Sequence, residues 1–470
     1  IHPQGFSWQL KPGEAFQTPE AVLVYSCQGM NGMSQTFHSL YRSRLARGAW
    51  RDRVCPILIN NWEATYFDFD EDKLVRIASK AKEAGVELFV LDDGWFSTRR
   101  DDYHGLGDWW PTEDLLPNGI KGLAERINGM GMKFGLWVEL EMVNKDTELY
   151  RQHPDWIIHV EGRKSSHGRN QYVLDFSRPE VVDYIHDAIY KVLKDANIDY
   201  IKWDMNRSIT ECGSAGWPAE QQGEIFHRYI LGVYDLYERL TSEFPHILFE
   251  SCASGGGRFD PGMFYYAPQA WTSDDTDGGE RIYIQYGTSY GYPLSFMGSH
   301  VSITPNHQVF RETSLKLRGD VAYFGTFGYE LDLGRLPEEE FQQVKEQIKF
   351  MKQYRELIQF GTFYRLLDPF AGNEAAWMVV SPDRKQALVG YYRLMAKTCT
   401  PFTLTRLQGL LPEAEYEVLV EGRQAMGSFT GSELMAAGLV TTDESCGEQK
   451  TAEKVACGDF YSRLFVLQAK

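Results

Sequence analysis

The stretch YIKWDMNR, residues 200–207, ends an apolar run in an unusual way. Ile198-Asp199-Tyr200-Ile201 reads as a strand, yet Lys202, Asp204 and Asn206 then take every second position. Side chains two apart on a strand share a face. One face of one short strand therefore carries a cation, an anion and an amide, groups that are costly to bury unless they are paired. Such a strand belongs where polar groups converge, and other strands of the same chain end alike.

Working outward, short apolar stretches rich in β-formers alternate with longer amphipathic ones. The strand candidates are Pro56–Trp62, Glu87–Trp95, Lys133–Val143, Gln171–Ser177, Ile198–Asn206, Ile247–Ser254, Gln269–Asp275 and Pro293–Val301. Helical spacing marks Asp72–Ala84, Glu180–Ala196 and Gly223–Glu243 between them, and Glu338–Phe360 reads as a long closing helix. Eight strands joined by helices predict an α/β fold, a (β/α)8 TIM barrel, over residues 51–362. An open doubly wound sheet fits less well, because no Gly-rich fingerprint opens a strand–helix pair. Ala375–Val380, Gln386–Tyr392, Tyr416–Glu421 and Phe460–Leu467 read as short strands separated by turns such as Ser381-Pro382-Asp383. They predict a small C-terminal antiparallel β-sandwich domain over 363–470. Residues 1–50 are mixed and read as an incomplete unit.

Composition narrows the function. At 470 residues with 43% apolar and 24% charged residues, the chain is globular, not disordered. A net charge of −17 argues against nucleic acid or an anionic membrane as partner and suits a neutral substrate. Seven cysteines without a CxxC pair, and no apolar run long enough to span a bilayer, predict a reduced, cytoplasmic protein. Aromatics reach 14%, including twelve Trp; their faces suit sugars as well as cores.

The C-terminal halves of the predicted strands carry Asn60 and Trp62; Asp92 and Asp93; Trp137, Glu139 and Glu141; Asp175; Lys202, Asp204 and Asn206; Glu250 and Cys252; and Ser273, Asp274 and Asp275. A single carboxylate at a strand end is ordinarily a helix cap or turn residue. Seven strands ending alike point to the barrel mouth, where active sites sit. Paired carboxylates in a pocket suit glycoside hydrolysis. Asp204, with Lys202 on its face, is the nucleophile candidate, and Asp274 or Asp275 the proton donor, since crowded like charges favour keeping one proton. A Schiff-base lyase built on Lys202 is disfavoured by the neighbouring Asp204. A metal site on Asp92, Asp93 and Asp204 lacks histidine support, since the eleven His form no HxH or HExxH pair. A non-catalytic sugar-binding fragment stays open.

LDDGWF (91–96), GLWVELEMV (135–143), RNQYVLDFSRPEV (169–181), YIKWDMNR (200–207), ESCASGGGRFD (250–260), WTSDDTD (271–277) and FGTFGYELDL (324–333) occur in this order. The series resembles glycoside hydrolase family 36, the microbial α-galactosidases. The resemblance implies a TIM barrel with a C-terminal β-sandwich and an exo-acting, retaining double displacement on α-galactosides of the melibiose and raffinose type, with no cofactor and no metal. It implies Asp204 as nucleophile and Asp274 as acid/base. It implies Asp92 and Asp93 as acceptors for the axial 4-hydroxyl and the 6-hydroxyl, and Lys202 on the 3- and 4-hydroxyls. Arg169 and Asn206 fall in the pocket, Trp62 and Trp137 pack against the sugar, and Cys252 and Gly255 meet the 2-hydroxyl. That last side decides between galactose and N-acetylgalactosamine; galactosyl transfer is a further alternative within the family. Where the family carries Pro between the two glutamates this chain has Leu140, so the end of that strand is expected to differ. Family members also carry a large amino-terminal β domain that helps build a tetramer. GFSWQLKPGEAFQTPEAVLVYS (5–26) resembles its closing strands, so residues 1–50 are expected to be its remnant and to dock on another polypeptide or to be poorly ordered.

Overall fold

The computed structural model describes residues 5–398, 402–442 and 458–470; Cys399, Cys446 and Cys457 lie outside them. Eight strands close into a barrel. In chain order they are Leu58–Asn60, Leu88–Leu91, Lys133–Val138, Tyr200–Trp203, Leu248–Ser251, Gln269–Trp271, Met297–Ser302 and Thr326–Glu330, and each lies beside its sequence neighbours, the last beside the first. The recorded pairings are parallel, for example Trp137 with Lys202 and Lys202 with Glu250. Apart from Lys133 the strands are buried along their whole length, as parallel strands covered on both faces must be.

The expected helices form where their signals lie. Asp70 caps Glu71–Ala84 by accepting the Lys73 N–H at 2.8 Å. Pro179 opens Pro179–Asp195, a position where its missing N–H costs nothing. Ile225–Glu243 and Glu338–Phe360 follow.

Two strand expectations are corrected. Gln171–Ser177 is not a barrel strand. Only Tyr172–Val173 is extended there, paired antiparallel with Met142–Val143. The expected strand Lys133–Val143 breaks for the same reason: after Val138 the chain turns, with Met142 N–H donating to Glu139 O at 3.3 Å, and both glutamates face away from the ladder to side-chain partners. The eighth strand is instead Thr326–Glu330, within FGTFGYELDL and absent from the strand candidates, with Gly328 at its centre. A Cβ on Gly328 would lie 2.7 Å from the His300 ring and 3.0 Å from Leu58, so close packing, not flexibility, requires that glycine.

The chain divides into two compact units, residues 1–23, 46–51 and 59–270, and residues 24–45, 52–58 and 271–470. In the first, residues 5–10 lie on the start of helix Ile225–Glu243. Ser7 N–H donates to Gly223 O at 3.2 Å and Gln9 N–H to Glu224 Oε1 at 2.7 Å, and the Arg228 guanidinium lies 4.4 Å from the Trp8 ring and 4.1 Å from the Trp217 ring. Residues 5–28 form no strand. Residues 5–10 therefore pack on their own chain, whereas Leu23 and Tyr25 stand 94% and 91% exposed.

In the second unit a six-stranded antiparallel sheet runs in the order Thr362–Leu367, Glu374–Val380, Gln386–Arg393, Tyr461–Ala469, Glu415–Val420, Gln424–Thr430, with a two-stranded sheet of Leu404–Thr405 and Leu439–Val440. Met378, Val389, Leu407, Tyr416, Leu434 and Phe465 share its core. The expected turn at Ser381-Pro382-Asp383 is present, Asp383 Oδ1 accepting from Ser381 Oγ at 2.6 Å and from Lys385 N–H at 3.0 Å. Thr362–Leu367 and Gln424–Thr430 were not foreseen; each carries apolar and polar residues without clean alternation.

Helix Ile225–Glu243 passes very close to the backbone at Phe176: a Cβ on Gly232 would fall 1.9 Å from Phe176 O. Gly232→Ala should therefore cost about 1–3 kcal/mol or more through overpacking. Gly287→Ala, in a helix with nothing within 4 Å of its Cβ, should be neutral or gain about 0.5–1 kcal/mol. Paired thermal melts check this; equal melting temperatures for the two variants would refute the close approach.

Candidate active site

The ends of the second and fourth strands carry the densest polar cluster. Asp92 follows Leu88–Leu91 and is 3% exposed. Its Oδ2 accepts from Lys202 Nζ at 3.1 Å and from Asn60 Nδ2 at 2.5 Å; its Oδ1 accepts the Asp93 N–H at 2.9 Å. Asn61, which sequence reasoning passed over, accepts the Asp92 N–H through Oδ1 at 2.8 Å. Adjacent asparagines therefore bind the first strand's end to Asp92.

Asp93 has a different partner. Arg99 clasps it with two nitrogens, Nη2 to Oδ2 at 2.7 Å and Nε to Oδ1 at 3.0 Å. Burial raises the Asp93 carboxyl and the Arg99 charge opposes this, with Asp92 adding to the rise. Arg99 is fully buried, and nothing in its sequence context distinguishes it from Arg100, whose guanidinium reaches Asp114 instead.

Asp204 follows Tyr200–Trp203 and is 6% exposed. Its backbone N–H donates to Val138 O at 2.8 Å, which extends the ladder to the third strand. Oδ1 accepts N–H bonds from Met205 at 2.8 Å and Ser254 at 3.2 Å. Oδ2 accepts from Asn206 Nδ2 at 2.9 Å and Trp137 Nε1 at 3.2 Å. Two donors on each oxygen fix the plane of this carboxylate. Lys202 pairs with Asp92. Trp137, expected against sugar, is 2% exposed and reaches Asp204 through its indole N–H.

Asn206 joins several groups. Its Nδ2 is shared between Asp204 Oδ2 and Glu139 Oε2, the latter at 3.2 Å, its backbone N–H donates to Glu139 Oε1 at 2.5 Å, and its Oδ1 accepts from Ser254 Oγ at 3.0 Å. Glu139 is fully buried; burial, then the charge of Asp204, pushes its carboxyl up to about 8. Gln171 Nε2 donates to it at 2.6 Å. Glu141 is solved otherwise: Trp203 Nε1, Arg258 Nη1 and the Tyr229 hydroxyl donate to it, and Arg258 Nη2 lies 2.8 Å from its Oε1 as an ion pair.

The remaining candidates lie as follows. Cys252 is buried and not disulfide-bonded, and its backbone N–H donates to Trp203 O at 2.8 Å. Ser254 and Gly255 take positive φ values of 45° and 82°, and this bend carries the Ser254 N–H to Asp204. Trp62 opens a short helix, partly exposed, with Tyr66 and Phe67 rings edge-on at 5.3 and 5.2 Å. Arg169 pairs with Asp102, not with Asp175, whose partners are the Ser177 and Ser214 hydroxyls. A cleft of about 290 Å³ is lined by Asn206, Ser254, Phe226 and Arg258 among others. A larger one, about 780 Å³ and lined by Trp109, Trp110 and Tyr184, includes none of the candidate residues, so volume alone does not find the chemistry.

In the second unit, Asp274 lies three residues beyond the sixth strand, exposed, its Oδ1 accepting from Trp271 Nε1 at 3.1 Å and its carbonyl from Gln308 Nε2 at 2.8 Å. Asp275 and Asp277 serve the turn: Asp275 Oδ1 accepts the Asp277 N–H at 3.1 Å, and Asp277 caps Gly278–Thr288.

Known proteins place this arrangement. The Melibiase family profile matches residues 15–361 and that of the glycosyl hydrolase family 36 C-terminal domain matches 374–467. The chain is 60% identical over 439 residues to the alpha-galactosidase AgaA of Geobacillus stearothermophilus, covering 93% of this chain and 60% of AgaA. It is 48% identical over 469 residues to the alpha-galactosidase Mel36A of Lactobacillus acidophilus, covering 100% and 62%. The crystal structure of AgaA superposes with a TM-score of 0.95 at 57% identity, over 100% of this chain and 63% of AgaA. Variants of AgaA have been crystallised in complex with raffinose and with stachyose. The chain thus spans about 60% of the length of these relatives. By its two matching profiles, its sequence identity and its fold, the chain belongs to glycosyl hydrolase family 36.

Proposed function

We propose that this chain carries the catalytic machinery of a retaining, exo-acting α-galactosidase acting on raffinose-type oligosaccharides. The observation that carries this is the setting of Asp204: a carboxylate at a strand end, oriented by four N–H donors, two residues from a lysine that pairs with Asp92. The raffinose and stachyose complexes of AgaA variants support the substrate class. The profile limits, 361 and 374, support a catalytic barrel over 51–362 and a C-terminal domain over 363–470.

In this reading Asp204 attacks the anomeric carbon while Asp274 gives its proton to the departing oxygen. The C1–O bond to the aglycone breaks as the C1–O bond to Asp204 forms. Asp274, now ionised, takes a proton from water, which displaces Asp204 and yields galactose of the original configuration. Asp92 and Asp93 are held by Lys202 and Arg99, and each keeps lone pairs for sugar hydroxyls. The Lys202 ammonium is anchored on Asp92 and is a three-donor group suited to sugar hydroxyls.

Glu139 is the rival for the acid role, since burial keeps it protonated. Its oxygens are already engaged by Gln171 and Asn206, so we assign it to orienting Asn206.

Four outcomes test this reading. Asp204→Ala should abolish turnover of every galactoside, and Asp274→Ala should spare a dinitrophenyl galactoside more than raffinose, because a good leaving group needs little protonation; equal losses would remove Asp274 from the acid role. The first product seen by proton NMR should be α-galactose; β-galactose would exclude a double displacement. Asp93→Asn should cost about 1.5–3 kcal/mol in kcat/KM from a lost charge-assisted bond; unchanged efficiency would make Asp93 structural. Glu139→Gln should lose less than the roughly 10²-fold or more expected for an acid catalyst. It should also alter the pH dependence of stability. The folded protein holds a Glu139 proton that the unfolded chain releases above its ordinary value of 4.5. Stability therefore falls as pH rises from 4.5 to about 8 and levels beyond. Melts at pH 5 and 8 should show a flatter slope for Glu139→Gln than for wild type; equal slopes would refute a protonated Glu139.

A further inference from the structure

Asp274 is exposed, yet a proton donor must present one particular oxygen to the glycosidic bond. The structure fixes it from two sides. Gln308 Nε2 donates to its carbonyl, and Gln308 is itself held by an N–H bond to Asn306 Oδ1 at 2.9 Å, while Asn306 Nδ2 donates to Thr276 Oγ1 at 3.1 Å. On the side chain, the Trp271 indole N–H donates to Oδ1.

Trp271 is in turn immobilised. It is 2% exposed. The Arg281 guanidinium lies 4.4 Å from its ring centroid, and Arg281 donates to Gly298 O at 3.1 Å and to Ser273 O at 3.0 Å. The His300 ring packs against the indole, centroids 4.5 Å apart and tilted by 39°. His300 Nδ1 bonds Glu330 Oε1 at 3.0 Å, and both side chains are buried. A continuous chain of contacts thus runs from the eighth strand to the Asp274 carboxyl, through Glu330, His300 and Trp271.

We infer that Trp271, braced by His300 and Glu330, is a positioning residue that decides which Asp274 oxygen carries the catalytic proton. The inference rests on the proposed acid role of Asp274. An indole N–H needs an acceptor, and a hydroxyl oxygen is a poorer one than a carbonyl oxygen. With Oδ1 engaged by Trp271, the proton of the neutral acid sits on Oδ2. From Oδ2 it passes to the leaving oxygen in the first step, and in the second step Oδ2 takes a proton back from water. Trp271 gains and loses nothing; it aims the group.

The experiment compares kcat/KM for raffinose and for 2,4-dinitrophenyl α-galactoside in wild type, Trp271→Phe and His300→Phe, with Trp377→Phe as a control at a fully buried tryptophan of the C-terminal sheet. Trp271→Phe keeps a ring but loses the donor. Its raffinose-to-dinitrophenyl ratio should fall about tenfold, part of the roughly 10²–10⁴-fold that a positioned acid supplies. His300→Phe, which keeps a ring on the indole and loses the Glu330 bond, should lower the ratio less, and Trp377→Phe should leave it unchanged. A general structural loss would slow both substrates alike, so equal losses, or an unchanged ratio in folded Trp271→Phe, overturn the inference. Should Trp271→Phe fail to fold, the His300→Phe ratio decides on the same terms. Wild-type turnover of the dinitrophenyl substrate separately tests the parent reading.

Discussion

A carboxylate stays inside a protein only if its oxygens find donors, a cation or a proton. Asp92, Asp93, Glu139, Glu141 and Asp204 are all at most 6% exposed, and the barrel mouth is organised around meeting that demand. Lys202 and Asn60 serve Asp92, Arg99 serves Asp93, and backbone and indole N–H groups serve Asp204. Because the partners come from different strands and loops, each bond also fixes one strand end against another. Removing a partner leaves a buried charge unmatched, at a cost of about 3–5 kcal/mol. The rigidity of the mouth follows from its charge.

Glu139 and Glu141 show two solutions to this demand two residues apart. Glu141 receives Arg258, an indole N–H and a tyrosine hydroxyl. Glu139 has amide donors and the negative charge of Asp204 nearby, and it keeps its proton. The strand therefore cannot continue past Val138: both carboxyls must turn to partners that the ladder does not supply.

Much of this was legible in the sequence. The polar endings of apolar runs marked the strands that reach the mouth, and the alternation at Lys202, Asp204 and Asn206 marked the most crowded of them. What sequence reasoning missed was long-range. Arg99 looks like any loop arginine until the fold brings it onto Asp93. Gln171–Ser177 has the composition of a strand but supplies Gln171 to Glu139 and Asp175 to two serines. Thr326–Glu330 carries a central glycine, Gly328, whose need is seen only once the His300 ring and Leu58 are packed against it. Lys202 on Asp92, Trp137 on Asp204 and the docking of residues 5–10 likewise depend on contacts that no local pattern records.

The composition of the chain changes near residue 362, but its second compact unit does not divide there. That unit joins residues 24–45 and 52–58 to everything from Trp271 through the C-terminal sheet. Tyr392 of the sheet donates to Asp320 O at 2.7 Å, Ser462 donates to the Asp320 carboxylate at 2.7 Å, and the Trp377 ring lies 5.6 Å from that of Phe324. The last barrel strands and the sheet thus share one interior. The sheet is therefore not an exchangeable appendage. A chimera joined at residue 362 would splice two halves of one hydrophobic core and would inherit its mismatches, whereas a donor that supplied residues 24–45, 52–58 and 271–470 together would bring that unit intact. For gene fusion and for recombination between homologues, the natural crossover lies within the barrel.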